Sequence, residues 1–576
     1  MDRTVGLSCV SRRSFASTGA LFLGLATVVA GAQVVVVPAT PVVGSSNPVT
    51  AEPLVTRPST KPCVVSLLNE QEFADYSAQP MTYTPPAGCK GPWAKVVLTA
   101  DFTVTAGRQY DRTASFYLGN ANIFYGTTAE PRSALSPSWH IERDVTDLSA
   151  IFKTAQTGEA VVYNIVNSTY TGIIYGNATL EFYPASWKDA PAVVPDVVVP
   201  VSGTNNSYEL DTTSSAVTQT LSLPRNVEKV YLDVIAQSQS QDEFWYFSVP
   251  NDVTGELESY GNTSFRETEV TIDGKPAGVA PVYPWIYTGG LDPYLWEPIT
   301  GVQTLNFKPY RVDLTPFAGV LSDGETHTVG VSVYNANSYF LATANLLVYT
   351  DHGRATVSGG LLTNTLSAAP VPVVTENLTT DGSGTTTGTV AVGSNRKYSV
   401  SGYVETSHGR VETTVDAKVD FLSTQTFDVN GNTGPDIQNA VQTSTVNSTT
   451  TIKNGFLVET DSKQVSYPLT LDYSYVINAD GTSAQVVTSD QKDLLTESKA
   501  LNGFTLFGKT TSEEVKGTDT LSFDASGNLT AAGTGSSTAS YVSKDTLGDC
   551  YSRTLAAANQ KLTAVTTGAA CQKHGW

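Results

Sequence analysis

Apolar and polar residues alternate along most of the chain in short runs, the period-two pattern of strands with one buried face. Thr113-Ala-Ser-Phe-Tyr-Leu118, Ala178-Thr-Leu-Glu-Phe-Tyr183 and Ala344-Asn-Leu-Leu-Val-Tyr349 show it, with Gly, Pro, Asn and Asp separating such runs. A helical apolar period is nearly missing, so the expected fold is all-β. Short helices are expected only near Asp490 to Ala500 and Leu555 to Leu562.

Three Pro/Val-rich stretches break the alternation. Residues 33–58 read as a tether, Pro191-Ala-Val-Val-Pro-Asp-Val-Val-Val-Pro200 as a connector, and Ala368-Ala-Pro-Val-Pro-Val-Val374 as a second connector. Between them the chain repeats itself. Asp144-Val-Thr-Asp-Leu-Ser-Ala-Ile-Phe152 matches Asp313-Leu-Thr-Pro-Phe-Ala-Gly-Val-Leu321, each followed by a Gly-Glu turn and then by Val162-Tyr-Asn164 or Val333-Tyr-Asn335. Such a repeat predicts two tandem antiparallel sandwiches, most simply jelly rolls, over residues 59–200 and 201–353. From 354 to 576 the texture changes to long Thr/Ser/Val hairpins with turns such as Ala479-Asp-Gly-Thr482, predicting a third, ancillary β-rich domain.

Composition narrows the setting. Residues 1–32 read as an export signal, with Arg12-Arg13 ahead of an apolar, small-residue run ending Ala30-Gly31-Ala32, and the paired arginines are compatible with twin-arginine export. No later apolar run would span a bilayer, so the mature protein is expected to be a soluble monomer, secreted or periplasmic. Cys9 lies in the signal, and Cys63, Cys89, Cys550 and Cys571 form an even set whose positions suggest the pairs 63 with 89 and 550 with 571. Their spacing suits no metal site, and no cofactor is expected. The 54 acidic against 34 basic residues argue against a nucleic-acid partner. With so few charges in all, the surface depends little on ion pairs, which favours activity and stability at acidic pH.

Candidate chemistry sits in three acidic motifs. In Gly107-Arg-Gln-Tyr-Asp-Arg112, Asp111 lies between Arg108 and Arg112, an arrangement that would hold a carboxylate ionised as a general base at a strand end. A structural Arg–Asp brace explains the same six residues. In Trp139-His-Ile-Glu-Arg-Asp144, alternation places Glu142 and Asp144 on one face. In Gln241-Asp-Glu-Phe-Trp-Tyr-Phe247 the pair Asp242 and Glu243 runs into four aromatics. Turn-capping carboxylates and core aromatics are the structural alternative for each.

These motifs, with Thr128-Ala-Glu-Pro-Arg132, Asp292-Pro-Tyr-Leu-Trp-Glu-Pro-Ile-Thr-Gly301 and the stretch from Tyr310 to His352, resemble the A-type peptide N-glycosidases over about residues 62–353. That resemblance implies an amidase that hydrolyses the bond between a glycan and an asparagine side chain, with N-glycosylated peptides or proteins as substrate. The F-type branch is similar in being a pair of jelly rolls with its site at their junction. Carried across motif by motif, it implies Asp111 as the primary catalytic group with Arg112 beside it, Glu142 as a substrate-orienting acid and Glu243 as the third acid. Trp245 becomes a sugar platform, and Trp139, Tyr246, Trp285 and Trp296 are further stacking candidates. Arg108 and Asp242 are expected near the substrate. Asp242 and Phe244 stand where that branch has cysteines, and its Gly-Trp segment matches Leu295-Trp296 only loosely. Glu130 reads as a structural acid. With five scattered histidines and no zinc motif, the nucleophile is expected to be water activated by a carboxylate. A glycoside hydrolase or a glycan-binding β-sandwich without turnover would use the same inventory.

Overall fold

The computed structural model describes residues 37–202, 208–211 and 215–571; the export-signal reading of residues 1–32 lies outside them. Strands dominate, as the alternation requires. The first sandwich has eight: β1 (Cys63–Phe73), β2 (Gln79–Tyr83), β3 (Trp93–Val104), β4 (Thr113–Leu118), β5 (Ala121–Thr127), β6 (Ser138–Asp144), β7 (Gln156–Val162) and β8 (Ile174–Pro184). One sheet runs β1-β8-β3-β6 and the other β2-β7-β4-β5, the order of a jelly roll.

The second sandwich repeats this order. After β9 (Val197–Pro200) come β10 (Tyr208–Leu210), β11 (Ala216–Ser222), β12 (Val227–Gln239), β13 (Glu267–Ile272), β14 (Lys275–Pro281), β15 (Tyr310–Asp313), β16 (Thr326–Tyr334) and β17 (Tyr339–Thr350). The sheets are β10-β17-β12-β15 and β11-β16-β13-β14, with β9 added alongside β17. The sequence repeat has a shared local cause. In each roll the Asp that closes β6 or β15 accepts from the backbone N–H two residues on, Thr146 to Asp144 at 3.0 Å and Thr315 to Asp313 at 2.9 Å. The threonine hydroxyl then accepts from the third strand of its roll, from Val96 N–H at 2.9 Å or Val230 N–H at 3.3 Å.

Strands β4 and β5 are buried at every position rather than at alternate ones. Their outer face is covered by the second roll: Asn122 and Asn345 exchange amide hydrogen bonds of 3.2 and 2.9 Å, and Tyr125 packs edge-on against Phe307. This end of β4 and β5 is therefore a junction between the rolls.

The remaining strands form one very long sheet: β18 (Gly359–Asn364), β19 (Val373–Thr380), β20 (Thr386–Thr406), β21 (Gly409–Val429), β22 (Asp436–Asn454), β23 (Leu457–Ile477), β24 (Ser483–Leu501), β25 (Phe504–Phe523), β26 (Leu529–Ala531), β27 (Ser536–Asp545), β28 (Cys550–Ala558) and β29 (Lys561–Thr567). The first segment expected to be a short helix lies in β24, and the second is the end of β28, the 559–560 turn and the start of β29, because cross-strand pairing overrides their local preference. The sheet is not a separate accessory body. Its buried face, including Val400, Phe421, Val446 and Leu471, joins one hydrophobic cluster with Leu232, Trp245 and Leu346 of the second roll.

Residues 37–58 are not a free tether. Val49 pairs in parallel with Ile299, Gly44 N–H donates to Leu562 O at 2.7 Å, and Ala51 is buried. Charge fixes the ends of this strap: Glu52 pairs with Lys308, and Arg57 with Glu142 and Glu181. A Pro/Val-rich chain lacks alternation, yet its extended backbone can still lie along a surface and pair there. Disulfides join Cys63 to Cys89 and Cys550 to Cys571, with Cα separations of 6.2 and 5.7 Å. Among the described residues no helix is long and apolar enough to cross a membrane.

Candidate active site

Asp111 lies two residues before β4 and Glu130 three residues after β5. The hairpin register pairs Thr113 with Thr127, so both acids leave the sheet at the same end. The N–H of Asp111 donates to Glu130 Oε2 at 3.0 Å. A third acid comes from the second roll. Strand β12 ends beside β4, where Thr113 Oγ1 donates to Gln237 Oε1 at 3.2 Å, and Ser240 then takes a left-handed φ of 56°. The turn Ser240–Phe247 that follows carries Glu243 into the field of Asp111 and Glu130.

A fourth element closes the group. The irregular stretch 282–309 between β14 and β15 brings Gly289 N–H to Asp111 Oδ2 at 2.9 Å. A Cβ there would collide with Glu130 Oε2 and lie 3.1 Å from Asp111 Oδ2, so a larger residue would push the Glu130 carboxyl aside.

Three half-buried carboxyl groups close enough to feel one another's charge cannot all ionise at neutral pH. Burial raises Asp111, opposed by the Gly289 N–H and the Arg112 charge. Burial and the Asp111 charge lift Glu130 to about 8, against the Asp111 N–H and two arginines. Burial and the charges of Asp111 and Glu130 push Glu243 well above the usual carboxyl range. Asp111 and Glu130 each accept an N–H and have arginine nearby, but the Asp111 charge lifts both Glu130 and Glu243 in turn, so the first negative charge settles on Asp111. Glu130 and Glu243 then keep their protons through the neutral range.

Arg112 does not bracket Asp111 as expected. Its Nη1 donates to Tyr110 O and its guanidinium lies over the Tyr110 ring, so it acts on Asp111 through space. Burial lowers it to about 10, which still leaves it charged at neutral pH. Arg108 is exposed, 5.4 Å from the Tyr170 ring centroid, and pairs with no acid.

Glu142 is elsewhere. It accepts from Val55 N–H at 2.7 Å, from Arg57 and from His140 Nε2. Burial alone would raise it, but these bonds outweigh that and bring it to about 2. It lines a cavity of about 530 Å³ under the strap together with Arg143, Asp144 and Arg311, whose lining includes none of Asp111, Glu130 and Glu243. Alternation did place Glu142 and Asp144 on one outer face of β6, but the strap covers Glu142 there.

Asp242 is also structural. It is fully buried, paired with Arg266 at 2.8 Å, and accepts from the Asn337 and Ser338 N–H groups. The expected sugar platforms are core. Trp139 stacks on Phe102 with centroids 5.3 Å apart, Trp245 and Tyr246 are fully buried, and Trp296 donates to Gly290 O at 2.8 Å. Aromatic rings that do reach the surface beside Asp111 are tyrosines: Tyr110 meets Tyr170 edge-on at 4.6 Å, and its hydroxyl is 3.4 Å from that of Tyr76.

Glu130, which reads as a structural acid in sequence, joins this cluster. Its signal was the hairpin: an acid a few residues past β5 must emerge where Asp111 does. Gly289 had no local signal. Its role exists only because a loop from the second roll crosses to the first.

Comparison with known proteins bears on this site. The family model described as peptide N-acetyl-beta-D-glucosaminyl asparaginase amidase A matches residues 53–367. A protein of Prunus dulcis named peptide-N4-(N-acetyl-beta-glucosaminyl)asparagine amidase A is 30% identical over 62% of this chain and 65% of its own length. The chain thus matches just under two thirds of that relative. Among solved structures, PNGase F of Flavobacterium meningosepticum, described as a glycosylasparaginase, is 14% identical over 50% of this chain and 96% of its own, with a TM-score of 0.34. PNGF-II is 12% identical over 51% and 66%, with a TM-score of 0.36. Scores so low carry no argument about fold or activity.

Proposed function

From the premise that the chain belongs to the peptide N-acetyl-beta-D-glucosaminyl asparaginase amidase A family, we propose that it hydrolyses the amide joining an N-glycan to asparagine, with water as nucleophile and Asp111 as its base. The observation that carries this reading is the grouping of Asp111, Glu130 and Glu243 around Gly289 N–H where the rolls meet. One ionised and two protonated carboxyls are what amide hydrolysis needs.

The steps follow from those protonation states. Asp111 takes a proton from water as its oxygen bonds to the side-chain carbonyl carbon. The oxyanion that develops accepts a hydrogen bond from protonated Glu130. Glu243 donates its proton to the nitrogen as the carbon–nitrogen bond breaks. The products are an aspartate in the peptide and a glycosylamine. Asp111 then loses its proton, and Glu243 regains one, through solvent. The surface tyrosines around Asp111, rather than the buried tryptophans, are the aromatic groups that sugar can meet.

The two disulfides fit a compartment outside the cytoplasm, in keeping with the export signal expected at the N-terminus. The test is mass spectrometry of an N-glycopeptide after incubation with the protein. Conversion of the glycosylated Asn to Asp supports the amidase. A peptide retaining one N-acetylglucosamine would mean cleavage between sugars, and an unchanged glycopeptide that stays bound would mean a binding protein.

A further inference from the structure

Resting on the amidase reading above, we propose that the long C-terminal sheet is the seat of the catalytic loop and that Gln491 is a positioning residue, holding the stretch 282–309 where Gly289 N–H meets Asp111. Gln491 lies on β24 and is fully buried. Its Oε1 accepts from Val302 N–H at 2.8 Å and its Nε2 donates to Pro284 O at 2.7 Å. Those two partners flank the excursion that contains Gly289, so one planar amide ties its two stems together. Six residues earlier, on the same face of the strand, Gln485 Nε2 donates to Leu291 O at 2.9 Å, next to Gly289 and Gly290. The two glutamines grip the loop at points roughly 20 Å apart along β24.

The loop needs this support because it has almost no regular structure of its own. A long irregular segment is fixed only by what it touches. A buried side-chain amide is costly unless both its ends are bonded, and those of Gln491 are bonded to the loop. Asp111 is faced by Glu130 after β5, Glu243 after β12, Arg112 beside it, and Gly289 N–H and Tyr287 from the clamped stretch. From that stretch Gly289 is the group that bonds to Asp111.

The experiment measures glycan release over a pH series with the full chain and its Gln491→Leu, Gln485→Leu and Asp111→Asn variants. With Gln491→Leu, kcat should fall about 10- to 100-fold with little change in KM, as expected for a small displacement of a catalytic donor. The acidic limb of the kcat profile should also move to higher pH, since Asp111 loses a donor that favours its anion. If Gln491→Leu does not fold, Gln485→Leu, at a half-buried position, should show a smaller loss with the limb moved in the same direction. A folded Gln491→Leu or Gln485→Leu with the parent kcat overturns the proposal, and so does a lower kcat with an unmoved limb. An active Asp111→Asn overturns Asp111 as the base, and a parent protein that releases no glycan overturns the amidase reading itself. An inactive Asp111→Asn beside unchanged glutamine variants overturns the clamp alone.

Discussion

Gly289 N–H donates to Asp111 Oδ2 at 2.9 Å across 178 residues of sequence. The bond joins an irregular loop of the second jelly roll to the end of a strand in the first. It favours the charge on Asp111 among the three clustered carboxyls, and that charge in turn raises both Glu130 and Glu243.

Gly289→Ala tests that contact directly. The added methyl would collide with Glu130 Oε2 and crowd Asp111. Glycan release should fall about 100-fold, the scale for a misplacement near 1 Å, while the far-UV circular dichroism stays that of the parent. Parent-level turnover would mean that the loop does not hold Asp111.

If Asp111 is the base, as proposed, Asp111→Asn should lower kcat about 10²- to 10⁴-fold. Glu243→Gln and Glu130→Gln should each cost about 100-fold in kcat, because both acids face Asp111. A Glu130→Gln variant with full activity would return that residue to a structural role.

Glu142→Gln should leave kcat unchanged and lower stability by about 1–3 kcal/mol, since it weakens bonds to the strap and to His140. Asp242→Asn leaves the fully buried Arg266 without its anion and should cost about 3–5 kcal/mol. Chemical denaturation measures both. A selective loss of kcat in the folded Glu142→Gln protein would bring that acid back to the site.

Stability should fall as pH rises from about 5 to 8. Burial lifts Glu267 and Asp292 to about 7, with the Asp519 charge adding to Asp292, and lifts Asp436 to about 6 with help from Glu258. Burial also raises Glu513 to about 8, reinforced by the Glu52 charge. Each binds its proton more tightly folded than unfolded, so the folded state loses ground as pH climbs through that interval. Glu142 runs the other way, and its contribution is lost as pH falls toward about 2. Denaturant midpoints at pH 5 and pH 8 decide this; a higher midpoint at pH 8 contradicts it.

Much of this was legible in the residues. Strand alternation and the repeated Asp-x-Thr segments report local events, a pleat and a side chain capping its own turn, and such events depend on neighbours in sequence. So the all-β class, the paired sandwiches and the two cysteine pairs could be read directly, and Asp111 and Glu243 could be singled out. What the tertiary structure alone decided is which acids meet. Glu142 is taken by an arginine 85 residues away on a strap that resembled a tether, Glu130 is recruited through a hairpin register, and Gly289 arrives on a loop seated by a distant sheet. A motif shows that a carboxyl is present, but its charge and its task are set by burial and by partners that only the folded chain brings within reach.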